Sequence, residues 1–481
     1  MTLHSSLSKF TPQTVISASI AALTGLNVGW HISVPNMPQN VITKCSDGTW
    51  SPNQLPACLP MSDSVWGTTI GAYALGGLVG SIASRYLNDR FERKTNMMIA
   101  GFWMILGGML SALSINTPMY ALGRVCVGIA AGASGSSVGI YVSEIATTET
   151  RGALGCLYEL FLNLGILLTQ IAGLYMSYVP VWRYLWAIPS LLTAAQMACL
   201  YLFCVESPRY LVSVGKLERA KAALYKLRGK PCEVEWTELE SCILTRTENR
   251  AILSIKELLF KDRRIRNMAL VVCVIQMYNQ IGGVGPMSIY SVGFLTKVFQ
   301  GNTMTATTVT LASSAGSVIA TLISVIYMHR VGRKGFMLIS TTGMAISAVL
   351  LVIGSASPNA VDLAPLSITA SVLFVFTYSM GCGVVPWMIA PELLPLATLP
   401  SGSALANACN WLVNFIVNTV WPPMNAGLGN YSFVVFAVIN LLGAIFVWFC
   451  MPETTGKDLD TLADVEQAEI KEDVELPYTA K

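Results

Sequence analysis

The sequence predicts an all-helical membrane protein: twelve transmembrane helices in two pseudo-symmetric six-helix bundles. Three observations carry that prediction. Of 481 residues, 53% are hydrophobic, 12% are charged and mean hydropathy is +0.57, whereas ordinary soluble domains are roughly 25% charged. Apolar stretches recur at about the 20 residues that a helix needs to cross hydrocarbon. Finally, 14 of the 30 Lys and Arg lie in the single long polar run Glu206 to Arg266, between two apolar halves. Water-facing loops tolerate such charge, and a long cationic loop stays cytoplasmic.

The expected spans are 14–36, 64–87, 96–114, 119–143, 153–177 and 184–204 before the run, and 267–296, 305–328, 336–356, 366–391, 401–422 and 431–451 after it. This divides the chain into an N-terminal bundle (1–204), a helical linker (205–266), a C-terminal bundle (267–451) and a tail (452–481) with nine acidic residues against three lysines. An even number of crossings puts both termini on one side. Arg85, Arg90, Arg93, Lys94, Arg151, the linker cations, Arg330, Arg333 and Lys334 fall on that side, against Lys44, Arg183 and Lys297 opposite. The termini are therefore expected in the cytoplasm.

Within the linker, Leu217, Ala220, Leu224 and Leu227 share one helical face, which predicts an amphipathic helix over 216–228 lying against the membrane domain. The segment before the first span carries Lys9 alone and lacks the basic start and cleavage site of a removable signal. Ten of the twelve cysteines fall in spans or cytoplasmic loops. Cys45 and Cys58 share the loop after the first span, where an oxidising exterior or lumen lets them pair; otherwise they are two free thiols. The basic residues flank membrane segments, so nucleic acid is not an expected partner; the lipid bilayer is. No metal-ligand cluster, nucleophile pairing or phosphate loop points to an enzyme, a metal or a cofactor.

The halves echo one another. The run from Asp89 to Lys94 is matched by His329 to Lys334, Glu144 by Glu392, and Glu206-Ser207-Pro208 by Glu453-Thr454-Thr455, at offsets of 240, 248 and 247 residues. Parallel repeats of this kind place a substrate site between the halves near the bilayer midplane.

These residues resemble the sugar porters of the major facilitator superfamily. The match rests on Gly123-Arg124 with Gly128 and Gly132, Glu144-Ile145-Ala146 before Arg151-Gly152-Ala153-Leu154, and Glu206-Ser207-Pro208-Arg209. Gly332-Arg333-Lys334, Val385-Pro386-Trp387, Asn410-Trp411 and Pro452-Glu453-Thr454 extend it through the second half. Gly29-Trp30-His31 and Asn36-Met37-Pro38-Gln39 also resemble a fungal, often vacuole-associated branch, which implies a vacuolar or plasma membrane location. The resemblance implies transport of a sugar or polyol by alternating access, as a uniporter or coupled to protons, by a chain working as a monomer. The alternative is a non-transporting nutrient sensor on the same scaffold; such sensors tend to carry longer tails than this one.

The resemblance implies roles for individual residues. At the inner rim Arg90, Arg93, Lys94 and Arg151 face Glu144 and Glu206, and Arg330, Arg333 and Lys334 face Glu392 and Glu453. Such pairs bias a two-state gate, or serve only as orientation charges. Three departures, Glu92 for a glycine, His329 for an acid and Leu399 for an arginine, predict pairing concentrated in the N-terminal half. Glu159 stands where the family has a sugar-binding Gln, and so takes a substrate or proton role or pairs with a polar group such as Asn163. His31 stands where the family has Asn in uniporters or, in proton symporters, an Asp that trades its proton and its pairing with Arg124. His31 and Arg124 are thus coupling candidates, since imidazole titrates near neutrality, but beside Arg124 the ring is expected to stay neutral and merely hydrogen-bond. Asn279 and Gln280 remain available to hydroxyls, and the Gly282, Gly283, Gly285 and Pro286 cluster is expected to break the helix beneath Tyr290, a candidate outer lid. Ser317 and Ser379 stand where many members have larger polar residues. Asn410 completes the polar set, and Trp387 and Trp411 offer faces for a sugar ring or simply pack.

Overall fold

The computed structural model describes residues 11–44, 55–147, 150–248, 255–260, 262–299, 301–356, 363–394 and 398–454. Among them all regular structure is helical. The first half contains α1 (Pro12–Ser33), α2 (Asp63–Arg90), α3 (Arg93–Ala112), α4 (Thr117–Ile145), α5 (Leu157–Met176) and α6 (Tyr184–Phe203). In the second half α7 is Arg263–Ile281, continued after a break by Val284–Ile289. Helices α8 and α9 divide the run Thr303–Ala356 at Gly332, whose φ of +82° ends one helix and starts the next. Then follow α10 (Ala364–Met380, continued by Val385–Leu393), α11 (Leu399–Leu428) and α12 (Ser432–Cys450). The expected twelve spans coincide with these helices to within a few residues, except that α11 runs on through Pro422 and Pro423 to Leu428.

Helix ends are set by local chemistry. Asn116 caps α4 by accepting from the Met119 N–H at 2.9 Å, and Asp262 caps α7 by accepting from the Arg264 N–H at 2.8 Å. The surface is apolar where a soluble protein would be polar: Leu191, Trp448 and Phe449 are 75%, 63% and 78% exposed. Ser, Thr and Asn side chains such as Ser84, Asn96, Ser137, Thr321 and Asn440 are buried instead. Apolar side chains outside and polar side chains inside is the arrangement that a bilayer favours. The chain is an integral, multi-pass membrane protein.

The linker forms short helices, and its anchoring is divided between the bundles. The expected amphipathic helix is present as Leu217–Arg228, with Ala220, Leu224 and Leu227 buried against the first half and Gly229 ending it at φ +68°. The Thr14 hydroxyl donates to the Leu227 carbonyl at 3.1 Å and the Arg228 guanidinium to the Ile145 carbonyl at 2.9 Å. Glu92, ahead of α3, takes Lys216 at 3.0 Å and Arg219 at 3.2 Å. By contrast Ile255–Phe260 packs on α7 and α11 of the second half. Cys58 is buried and disulfide-bonded; its expected partner Cys45 lies outside the described residues, as does the acidic tail from residue 455.

Candidate functional site

A cavity of about 100 Å³ lies between the halves, walled by α1, α2, α4 and α5 on one side and α7, α8, α10 and α11 on the other. All seven residues expected to meet substrate line it: Glu159, Asn279, Gln280, Ser317, Trp387, Asn410 and Trp411, together with Arg124. Glu159 is 5% exposed, and Asn163 donates to its carboxylate at 3.3 Å. The same Asn163 amide donates to Thr321 at 3.0 Å, while its oxygen accepts from Ser317 at 2.6 Å. Ser317 in turn shares a 2.7 Å hydrogen bond with Ser379. One helical turn on, Ser314 donates to Gln170 at 2.7 Å. Helices α5 and α8 thus meet across the two halves along a polar seam.

The second wall is built on two broken helices that brace each other. Glycine at 283, with φ +101°, separates α7 from its continuation as expected, and Asn440 donates to the freed Gly282 carbonyl at 2.9 Å. Helix α10 breaks between Met380 and Val385. There Asn279 donates to the Cys382 carbonyl at 2.7 Å, and Gln276 to the Pro386 carbonyl at 2.8 Å. Satisfying a carbonyl released by a break, as Asn279 does at Cys382, is what makes irregular backbone tolerable at this depth. Asn279 is therefore committed to α10 and to the Tyr378 hydroxyl at 3.0 Å. Gln280 reaches farther along the ladder: it donates to Asn279 at 2.6 Å and accepts from Asn414 at 2.8 Å. Asn410 donates to Asn279 at 3.1 Å. Trp411 meets the Tyr73 ring edge-on at 5.5 Å between centroids.

The expectation for His31 fails in one respect. Its ring is fully buried, and neither nitrogen bonds to a protein group; the hydrogen bond at this position is made by its backbone carbonyl, which accepts from Arg124 at 2.7 Å. The ring instead lies beside Trp186, 5.9 Å between centroids. Apolar ring packing, not polar pairing, holds the imidazole.

On the face that carries the linker, the rim charges pair twice over. Arg93 grips Glu144 with two prongs, Nε to Oε2 at 3.0 Å and NH2 to Oε1 at 2.9 Å. Glu206 accepts from the backbone N–H groups of Arg93 and Lys94 at 3.0 and 3.2 Å. In the second half Arg333 grips Glu392 the same way, at 3.1 and 2.7 Å. Glu453 likewise accepts from the N–H groups of Arg333 and Lys334 at 3.0 and 3.1 Å. Pairing is therefore equal in the two halves, against the expected bias. The carboxylates of Glu206 and Glu453 hold main-chain N–H groups, which the residues at 92, 329 and 399 do not supply; His329 is exposed and Leu399 opens α11. At Gly332 a side chain would meet the Glu453 carboxylate at 2.4 Å, so glycine is needed there. Glu92 has extended backbone and turns its carboxylate to the linker instead. Burial raises the Glu206 carboxyl above its ordinary range, against the backbone hydrogen bonds.

Arg90 and Arg330 do not join these pairs. Arg90 is exposed, and Arg330, also exposed, lies over the Tyr327 ring at 5.9 Å. Arg151 is half-buried at the start of the short helix Arg151–Gly155 before α5.

At the opposite face one side chain spans the halves that sequence reading did not single out for this role. Asn36, 3% exposed, donates to Ser291 at 2.9 Å and to the Ser288 carbonyl at 3.3 Å, and accepts from the Val292 N–H at 3.3 Å. The Tyr290 hydroxyl beside it donates to the Asn418 carbonyl at 3.5 Å. Gln170 and Asn414 were missed as well. An amide within an apolar helix was the available signal for both; the partners that tie them across the fold, Ser314 and Gln280, lie over 130 residues away and leave no local trace.

The structure is similar to solved transporters. It superposes on the proton:xylose symporter XylE bound to 6-bromo-6-deoxy-D-glucose with a TM-score of 0.78 at 22% identity, covering 94% of this chain and 98% of that one. An inward-open XylE structure gives 0.71 at 21% identity, covering 93% and 98%. At that identity the likeness establishes the fold. In sequence the chain is 30% identical over 468 residues to facilitated glucose transporter member 1 of Gallus gallus, covering 95% of this chain and 94% of that protein. It is 32% identical over 431 residues to member 2 of the same species, covering 87% and 78%. The family model described as sugar (and other) transporter matches residues 17–465. Twelve helices in two halves, a polar cavity between them and a match over nearly the whole length place this chain in the sugar (and other) transporter family.

Proposed function

We propose that the chain carries a sugar or polyol across a membrane by alternating access. The observation that carries this reading is the cavity between the halves, where amides, hydroxyls, one carboxyl group and two indoles converge. Sugar hydroxyls both donate and accept, and Gln280, Asn410 and Asn414 offer both functions. Trp387 and Trp411 supply faces for the apolar side of a ring. Asn279 and Ser317 act mainly by holding these groups in place, since their own polar atoms are already engaged.

Access alternates when the halves rock about the α5–α8 seam. The Asn36 bonds would part when the face away from the linker opens. With three bonds at about 0.5–1.5 kcal/mol each, the latch is weak enough for substrate binding to reset. On the linker face Asn407 donates to Ser136 at 2.8 Å and would part when that face opens. The Arg93–Glu144 and Arg333–Glu392 grips each lie within one half, so they keep each bundle rigid at the rim while the halves move. The remaining gate candidates, Arg90, Arg151 and Arg330, orient the helix ends, with both termini and the linker in the cytoplasm and the protein in the vacuolar or plasma membrane as a monomer.

Uptake of labelled hexoses and polyols into liposomes containing the purified chain, with and without a pH gradient, tests this. Saturable uptake of at least one is expected. Accumulation that disappears when the gradient collapses indicates proton coupling; uptake indifferent to it indicates uniport. No uptake together with tight sugar binding would favour the sensor.

A further inference from the structure

Arg124 on α4 is a permanent cation with no exposed surface, and it lines the central cavity. Among the described residues no carboxylate pairs with it. One of its nitrogens donates to the His31 carbonyl at 2.7 Å, while Nε and the other terminal nitrogen find no protein acceptor. The Tyr73 and Trp186 rings lie 4.7 and 5.4 Å from the guanidinium carbon. Aromatic faces soften the burial of a cation but do not replace a counter-charge.

Around it, among the described residues, donors outnumber acceptors and no negative charge is present. Both His31 ring nitrogens, the Tyr73 and Tyr120 hydroxyls and the indole N–H groups of Trp66 and Trp186 are buried without a protein partner. The rings are contiguous: centroids lie 5.2 Å apart for Tyr120 and Trp186, and 6.0 Å apart for Trp66 and Tyr120. Indole and guanidinium N–H groups only donate, a phenol donates readily, and a neutral imidazole donates once. A buried cation among unengaged donors has the composition of an anion site, and it is unlike the balanced amides at the α7–α11 wall.

We propose that Arg124 and Tyr73, which line the cavity, with the unengaged donors of His31, Tyr120, Trp66 and Trp186 buried behind them, bind a small monoanion, either a free halide or the carboxylate of an acidic sugar. The carboxylate source rests on the transport reading above; the halide source does not. A hexuronate would place its ring among the cavity amides and its carboxylate toward Arg124.

The full-length protein in detergent is titrated with chloride, or with glucuronate, against a bulky organic sulfonate background while its melting temperature is followed. A saturable rise of about 2 °C or more with at least one anion is expected. It should vanish in Arg124→Leu. Arg124→Lys, which keeps the charge without the planar fork, should need about tenfold more anion. In liposomes, chloride-dependent glucose uptake identifies the halide, and uptake of glucuronate in preference to glucose identifies the carboxylate. Melting that is flat to both anions up to about 100 mM in the unaltered protein overturns the proposal. An unchanged midpoint in Arg124→Lys overturns the assignment to Arg124. If melting responds as expected but no sugar moves, the anion site stands and the transport reading falls.

Discussion

A methyl group on Gly77 would sit 2.2 Å from the Trp411 indole, so α2 of the first half meets α11 of the second only because position 77 has no side chain. Gly77→Ala should push Trp411 toward the cavity at a cost of about 1–3 kcal/mol. The expected result is a lower melting temperature and a KM for sugar raised several-fold; a KM left unchanged would remove Trp411 from the binding surface. Among the described residues the Glu159 carboxyl accepts a hydrogen bond from Asn163 alone and pairs with no cation. If it carries the coupled proton, Glu159→Gln should abolish gradient-driven accumulation while leaving downhill exchange in place. An unaltered pH dependence would assign Glu159 to sugar binding alone. The sequence singled out Trp411 and Glu159 but not their partners, which is also why His31 was misjudged. Its neighbours Trp186 and Arg124 come from α6 and α4, and only the packed fold shows that its ring nitrogens meet neither.

At the scale of elements, the two broken helices α7 and α10 both belong to the second half, whereas the rim grip recurs by the same physics in both halves. Each grip joins the start of one helix to the end of another through a forked ion pair and a carboxylate on backbone N–H groups. Removing one partner of so enclosed a pair costs about 3–5 kcal/mol. Arg93→Gln and Arg333→Gln should therefore lower stability by similar amounts, measured as melting temperature; a large effect from Arg93→Gln alone would restore the lopsided rim. The linker is held more lightly. Although burial works against it, the hydrogen bond from Lys216 and the charge of Arg219 hold the Glu92 carboxyl below its usual range. Its contribution is thus fully present above the ordinary carboxylate pKa and is lost as pH falls through the lowered one. Exposed pairs are worth about 0.2–1 kcal/mol, so proteolysis of the linker should quicken modestly with acid, and Glu92→Gln should remove that pH dependence. The glycine break in α7 was legible because Gly282, Gly283, Gly285 and Pro286 are adjacent. The break in α10 was not anticipated, although Gly381, Gly383 and Pro386 flank it, since its carbonyls are held by Gln276 and Asn279 more than 100 residues away.

For the whole molecule, hydropathy and charge placement were enough to read twelve crossings and two halves, because a bilayer acts on each helix separately and so writes its demand locally. The half-chain repeat then located the cavity. Contacts between the halves were not legible: Asn36 and Ser291 are 255 positions apart, and neither residue type announces a latch. That latch offers the most direct test of rocking halves. Asn36→Cys with Ser291→Cys, in a chain whose other reactive thiols are replaced, should form a disulfide under mild oxidation. Alternating access predicts that sugar exchange across liposomes then stops and returns on reduction. Undiminished exchange with the crosslink fully formed would contradict it.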